Sequence, residues 1–148
     1  METDNFTILL ADDDEDDCMF FKDALNELSL PVSLITVNNG VELMRFLLSH
    51  LNNLPQVVFL DLNMPIKTGL ECLSEIKQHE ELKQLSVIIY STSYNPEVMD
   101  LLYDRGAQHY IRKPADFAKL KSVVNKAIAL SGQNNIFQIP KEKFVVQP

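Results

Sequence analysis

Short apolar runs of strand length alternate five times with segments of helical periodicity, and this alternation leaves few folds open. The runs are residues 6–11, 33–37, 57–60, 87–90 and 110–111. Each is followed by a segment whose apolar residues recur at helical spacing. Helix one runs from Glu15 to about Ser29, ahead of Pro31, with Phe21, Ala24, Leu25 and Leu28 on one face. Helix two follows the Asn38-Asn39-Gly40 turn and carries Val41, Met44, Leu47, Leu48 and Leu51; helix three, 70–78, turns Leu70, Leu73 and Ile76 inward. Residues 80–84 read as a charged surface connection. Helix four begins at Pro96, presents Val98, Leu101 and Leu102, and ends at Gly106 as a left-handed cap. Helix five, 116–130, buries Phe117, Leu120, Val124 and Ile128. Continuous apolar strands with crossover helices predict a parallel sheet covered on both faces. The natural solution is a doubly wound, flavodoxin-like (βα)5 unit with strand order 2-1-3-4-5.

A chain of 148 residues holds one core of ordinary size, and 46% hydrophobic with 23% charged residues is the balance of a globular domain. Thirteen Lys and Arg against 21 acids give a net charge of −8, which disfavours direct binding to nucleic acid. No segment reaches the roughly 18 apolar residues of a membrane span, and the acidic start Met1-Glu2-Thr3-Asp4 is unlike a secretory signal, so a cytoplasmic location is expected. Cys18 and Cys72 stand far apart, without ligand spacing to His50, His79 or His109, and are read as reduced packing residues.

The polar strand ends carry the chemistry. In the doubly wound order, ligands bind outside the carboxyl ends of the strands, where strands one and three diverge. Strand one ends in Asp12 and Asp13, strand three in Asp61, strand four in Ser91 and strand five in Lys113. Three carboxylates in one cleft repel one another unless a cation intervenes. Oxygen ligands with room for water select Mg²⁺. Asp13 and Asp61 are the direct ligands, the Asn63 backbone carbonyl a third, and Asp12 a ligand directly or through water. Such a site suits phosphoryl transfer with Asp61 as nucleophile, Lys113 neutralising the phosphoryl oxygens and Ser91 donating to one of them. Asp14, Asp16 and Asp17 complement the positive end of helix one.

Two metal motifs fail on inspection. Asp12-x-Asp14-x-Asp16 begins like a calcium loop, but Asp17 stands where that loop needs glycine. The same residues imitate the nucleophile motif of haloacid-dehalogenase-type phosphatases, without the added cap segment or the late acidic ligands.

Taken together, Leu9-Leu10-Ala11-Asp12-Asp13, Leu60-Asp61-Leu62-Asn63-Met64-Pro65 with Gly69, Ile89-Tyr90-Ser91-Thr92, and Gly106-Ala107 with Tyr110-Ile111-Arg112-Lys113-Pro114 resemble the receiver domain of two-component response regulators. The resemblance implies that Asp61 accepts a phosphoryl group from a histidine kinase or histidine phosphotransfer protein. It implies Mg²⁺ held at Asp12 and Asp13, a switch pair in Ser91 and Tyr110, and a cis Lys113–Pro114 bond. It also implies that Asn63 and Ser93 tune dephosphorylation. Lys67-Thr68 departs from the acidic residue more common before that glycine, and Tyr90 is bulky for its strand position.

The expected organisation is a receiver domain over 5–130 and a tail over 131–148 with no output domain, acting on a downstream protein target rather than as a turnover enzyme. The tail residues Ile136-Phe137-Gln138-Ile139-Pro140 and Phe144-Val145-Val146 are apolar enough to dock on the domain or a second subunit. A homodimer through helix four, strand five, helix five or the tail is a further expectation. The competing readings are a receiver-like interaction module that is never phosphorylated and a small Mg²⁺-dependent phosphatase.

Overall fold

The central strands are stretches whose side chains are apolar toward both faces, so they can be buried only between two layers of helices. The computed structural model describes residues 6–131 and 139–148. Its strands are β1 (Phe6–Ala11), β2 (Val32–Val37), β3 (Val57–Leu60), β4 (Ser86–Ser91) and β5 (His109–Arg112). Its helices are α1 (Glu15–Leu28), α2 (Gly40–Ser49), α3 (Gly69–Gln78), α4 (Pro96–Asp104) and α5 (Phe117–Ser131). The sheet is parallel in the order β2-β1-β3-β4-β5, as the alternation predicts.

Successive residues of the strands point to opposite faces and divide the core in two. Leu9, Val58, Leu60, Val87, Ile89 and Tyr110 meet Leu43, Met44, Leu47, Leu73, Ile76 and Leu102 from α2, α3 and α4. Ile8, Leu10, Val57, Phe59, Ile88, Tyr90 and Ile111 meet Phe21, Ala24, Leu25, Leu120, Val123 and Val124 from α1 and α5. Tyr90 fits its strand position because Phe21 and Phe59 offer their edges to it, with centroids at 5.5 and 6.2 Å.

The helix ends follow their sequence signals. Asp14 caps α1, Asn39 caps α2 and Asn95 caps α4 ahead of Pro96, while Thr68 and Glu71 form a reciprocal capping box at α3. Gly106, at φ 98°, ends α4 as the expected left-handed cap.

Several buried faces differ from the predicted stripes. In α2 the inward residues are Leu43, Met44 and Leu47, and Val41 and Leu48 face solvent. In α4 Met99 takes the place of Leu101, and in α5 Val123 and Ala127 are buried where Phe117 and Ile128 are only half-buried. The 80–84 connection is anchored rather than merely exposed, since Leu82 is fully buried. Cys18 and Cys72 are free thiols. The described residues contain no cis peptide bond, which corrects the cis Lys113–Pro114 bond implied by the resemblance. The trans isomer is favoured for this bond type, and here Lys113 N–H continues the sheet pairing by donating to the Ser91 carbonyl at 2.9 Å.

Residues 139–148 return to the open edge of β5. Tyr110 N–H donates to the Phe144 carbonyl at 3.0 Å, and Val146 N–H donates to the Tyr110 carbonyl at 2.9 Å. Val145 thus forms a parallel bridge to Tyr110, with Phe144 buried on one face of the sheet and Val146 on the other. His109 is buried with Nδ1 3.2 Å from the Phe144 carbonyl, and the Tyr103 hydroxyl donates to the Ile139 carbonyl at 2.6 Å. The expected docking of the tail on the domain holds for Ile139 and for Phe144 to Val146; Ile136 to Gln138 lie outside the described residues.

Truncating Phe144→Ala should therefore lower the urea midpoint by the equivalent of about 3 kcal/mol and speed hydrogen exchange at the Val146 amide. Ile66, exposed and β-branched, holds φ 70°, a conformation that Asn adopts at lower cost. Ile66→Asn should raise stability by about 1 kcal/mol in the same urea titration.

Candidate functional site: an acidic cleft at the carboxyl edge of the sheet

The main chain fixes the two central carboxylates before their side chains make any contact. Asp12 continues β1 and donates its N–H to the Val37 carbonyl at 3.0 Å; Asp61 continues β3 and donates to the Ala11 carbonyl at 3.0 Å. Their side chains are then steered locally. Asp12 Oδ1 accepts from the Asp14 amide at 3.0 Å, and Asp61 Oδ1 accepts from the Asn63 amide at 3.3 Å. Both residues are buried, whereas Asp13 is exposed. One carboxylate oxygen from each of Asp12, Asp13 and Asp61 lies within 4.8 Å of the others. Burial pushes the Asp61 carboxyl up from an ordinary 3.8 to about 6; Lys113 and the Asn63 amide oppose the shift and Asp12 adds to it.

Lys113 closes the cleft from β5. Its ammonium lies 2.7 Å from Asp12 Oδ2, 2.8 Å from Asp17 Oδ2 and 3.4 Å from Asp61 Oδ2. It also stands 5.3 Å from the centroid of the Tyr90 ring. Burial works against the lysine's charge, and hydrogen bonds to Asp12 and Asp17 with the charge of Asp61 overcome it, so its pKa is raised. From the sequence, Asp17 has no role beyond a helix-end charge. Its pairing partner lies 96 positions away, and no local pattern distinguishes it from Asp14 or Asp16.

The loop between β3 and α3 is held by backbone contacts. Gly69 N–H donates to the Leu62 carbonyl at 3.0 Å, and a Cβ on Gly69 would collide with the carbonyl oxygen of Asp61. Gly40 makes an equally close approach to the Lys67 carbonyl from α2. Lys67, the departure from the usual pattern, pairs with Glu75 of α3 and so ties the loop to the following helix.

Ser91 is fully buried at the end of β4, and its Oγ accepts from the Ser93 amide at 3.2 Å. Tyr110 is buried with its hydroxyl donating to the Ser93 carbonyl, and its pKa is raised by burial, with a Ser91 side-chain hydrogen bond opposing. Its inward position is stabilised by Phe144, 6.4 Å away between ring centroids, and by the tail's two backbone bonds. Asn63 Nδ2 reaches Ser93 Oγ at 3.4 Å across the mouth of the cleft. The structure thus gathers Asp12, Asp13, Asp61, Asn63, Ser91, Tyr110 and Lys113 at one edge of the sheet.

A divalent cation fits this donor set. Asp12 Oδ2 is buried and accepts no well-aligned hydrogen bond from the described residues, although it forms the ion pair with Lys113. The surrounding donors are oxygens, and their charge exceeds what one lysine neutralises.

Comparison with known proteins agrees with the geometry. The family model for the response regulator receiver domain matches residues 8–125. Response regulator Rcp1 of Synechocystis sp. is 31% identical over 121 residues, covering 79% of this chain and 82% of that protein. The crystal structure of the phosphorylated cyanobacterial phytochrome response regulator RcpA aligns with a TM-score of 0.79 at 31% identity, over 89% of this chain and 97% of that one. The Mn²⁺-bound form of Rcp1 aligns at 0.73 with 29% identity, over 90% of this chain and 98% of that one. By its strand order, its acidic cleft and these relatives, the chain belongs to the response regulator receiver family.

Proposed function

We propose that this chain is a phosphoacceptor signalling module in which Asp61 takes a phosphoryl group from a histidine kinase or histidine phosphotransfer protein. The observation that supports this reading most directly is the Lys113 ammonium, 2.7 Å from Asp12 and 3.4 Å from Asp61 beside the three-carboxylate cluster. An Asp61 oxygen attacks phosphorus, the bond from phosphorus to the donor imidazole nitrogen breaks, and the imidazole leaves with its electron pair. The product is an acyl phosphate on Asp61. Asp12, Asp13 and Asp61, with the Asn63 carbonyl, would hold Mg²⁺, which supplies positive charge to the phosphoryl oxygens when bound. Lys113 neutralises a further oxygen, and the Ser91 hydroxyl donates to another. Because the group stays on the protein, the module is spent once per donor and is not a turnover enzyme.

The added charge is roughly −1.5 to −2. Drawing the Ser91 hydroxyl toward it releases the Ser93 amide, whose carbonyl neighbour holds Tyr110. The α4, β5 and α5 surface, with the tail on its edge, is the face offered to a downstream protein or to a second copy. A complete two-state shift needs about 5.5 kcal/mol of differential interaction, more than one hydrogen bond supplies, so Lys113 and the cation contribute as well. An unchanged environment at Tyr110 after phosphorylation, followed by NMR, would remove this account of switching.

Intact mass after incubation with Mg²⁺ and acetyl phosphate tests the central claim. One phosphoryl adduct is expected in the wild type, and none in Asp61→Asn or without the cation. A folded protein that binds Mg²⁺ yet never gains the adduct would overturn it.

The raised Asp61 pKa has a definite sign for stability. Between 3.8 and about 6 the folded protein binds more protons than the unfolded chain, so stability falls as pH rises through that window. Without divalent cation at pH 7.5, Asp61→Asn should exceed the wild type by about 1–3 kcal/mol, with the gap closing as pH is lowered toward 4. Mg²⁺ should stabilise the wild type increasingly as pH rises through 6, and the variant much less. Thermal melts over this pH range measure both effects.

A further inference from the structure

Three carboxylates share Lys113, and one of them belongs neither to the phosphoacceptor nor to the group that suits a cation. Asp17 stands in the first turn of α1, where Asp14 Oδ1 accepts from the Asp16 and Asp17 amides at 2.9 and 3.2 Å, so its main chain is anchored. Its Oδ2 reaches the Lys113 ammonium at 2.8 Å, nearly as close as Asp12 and closer than Asp61. The metal-sized cluster consists of Asp12, Asp13 and Asp61 and leaves Asp17 out.

A lysine ammonium has three N–H donors on a flexible stem, so its anchors decide where it sits. Two short contacts, to Asp12 and Asp17, hold this one on the α1 side of the cleft. Asp61 is left with the longest contact of the three. On the phosphoacceptor reading given above, that arrangement matters, because the cation and phosphorus between them need both Asp61 oxygens, and a tight Lys113–Asp61 pair would occupy one.

We infer that Asp17 is a positioning residue, which draws the Lys113 ammonium away from Asp61 and so keeps the Asp61 carboxylate open to the cation and to the incoming phosphoryl group. Without Asp17 the freed donor closes on Asp61, and the cation must displace it.

The test compares Asp17→Asn with Asp16→Asn, which removes the same charge one residue away at an exposed position. Mg²⁺ affinity is measured by titration, and the Lys113 ammonium is followed by its ¹⁵N-resolved NMR signal, identified by its loss in Lys113→Arg. Asp17→Asn should weaken Mg²⁺ binding by about fivefold and shift the ammonium signal, as loss of one such ion pair allows. Asp16→Asn should do neither, and Asp17→Glu, which keeps a carboxylate, should remain near wild type. Equal effects of the two Asn variants, or an unmoved ammonium signal in Asp17→Asn, would overturn the inference. Neither readout needs phosphorylation. A wild type that gains no phosphoryl group but shows the Asp17 effects would refute the phosphoacceptor reading and leave the positioning role standing.

Discussion

Charge balance in the cleft is the constraint on which the rest of this structure depends. Parallel strands that all begin at one end of the sheet deliver their following residues to the other, and here Asp12, Asp61 and Lys113 arrive within ion-pair distance. The carboxylates would repel one another if left alone, and Lys113 neutralises only part of their charge. The remaining imbalance makes the cleft receptive to a cation and sensitive to any further negative group. At Asp61, burial and the neighbouring Asp12 both push the carboxyl pKa up. A site with balanced charge would be more stable and would respond to less.

Rigid supports keep this unfavourable arrangement in register. The Asp12 and Asp61 amides bond to neighbouring strands, so the carboxylates cannot separate without breaking sheet hydrogen bonds. Gly69 lies so close to the Asp61 carbonyl that no side chain fits between them, and Lys67 fastens the same loop to Glu75. Ile66 takes a left-handed conformation in that loop, which shows how tightly the chain must turn there. Ser91 and Tyr110, by contrast, are joined through Ser93 by hydrogen bonds that can be exchanged without dismantling a strand.

Much of this was legible in the sequence because burial on both faces forces continuous apolar runs, and Val57–Leu60 ending in Asp61 is the clearest case. A polar residue after such a run has no place in the core and must stand at the sheet's edge. The helix faces were less legible. α2 contains more apolar residues than its buried face requires, so Leu43 could not be told from Val41 or Leu48 by spacing alone. Asp17 is hidden by its neighbours, since Asp14, Asp16 and Asp17 each have a sufficient explanation at a helix start. Its partner is set by tertiary structure, which packs α1 beside α5 and brings the residue after β5 to the first turn of α1. The isomer of the Lys113–Pro114 bond is not legible for a related reason, because no local residue specifies it and the family pattern implies cis where the bond is trans.

The two edges of the sheet differ in what lies against them. β2 shows Ser33 and Thr36 to solvent. In β5, His109, Tyr110 and Ile111 are buried and Arg112 is exposed. The Phe144–Val146 stretch covers this edge by occupying both backbone groups of Tyr110. A segment outside the (βα)5 unit therefore takes up backbone groups that an uncovered edge strand would offer to another chain.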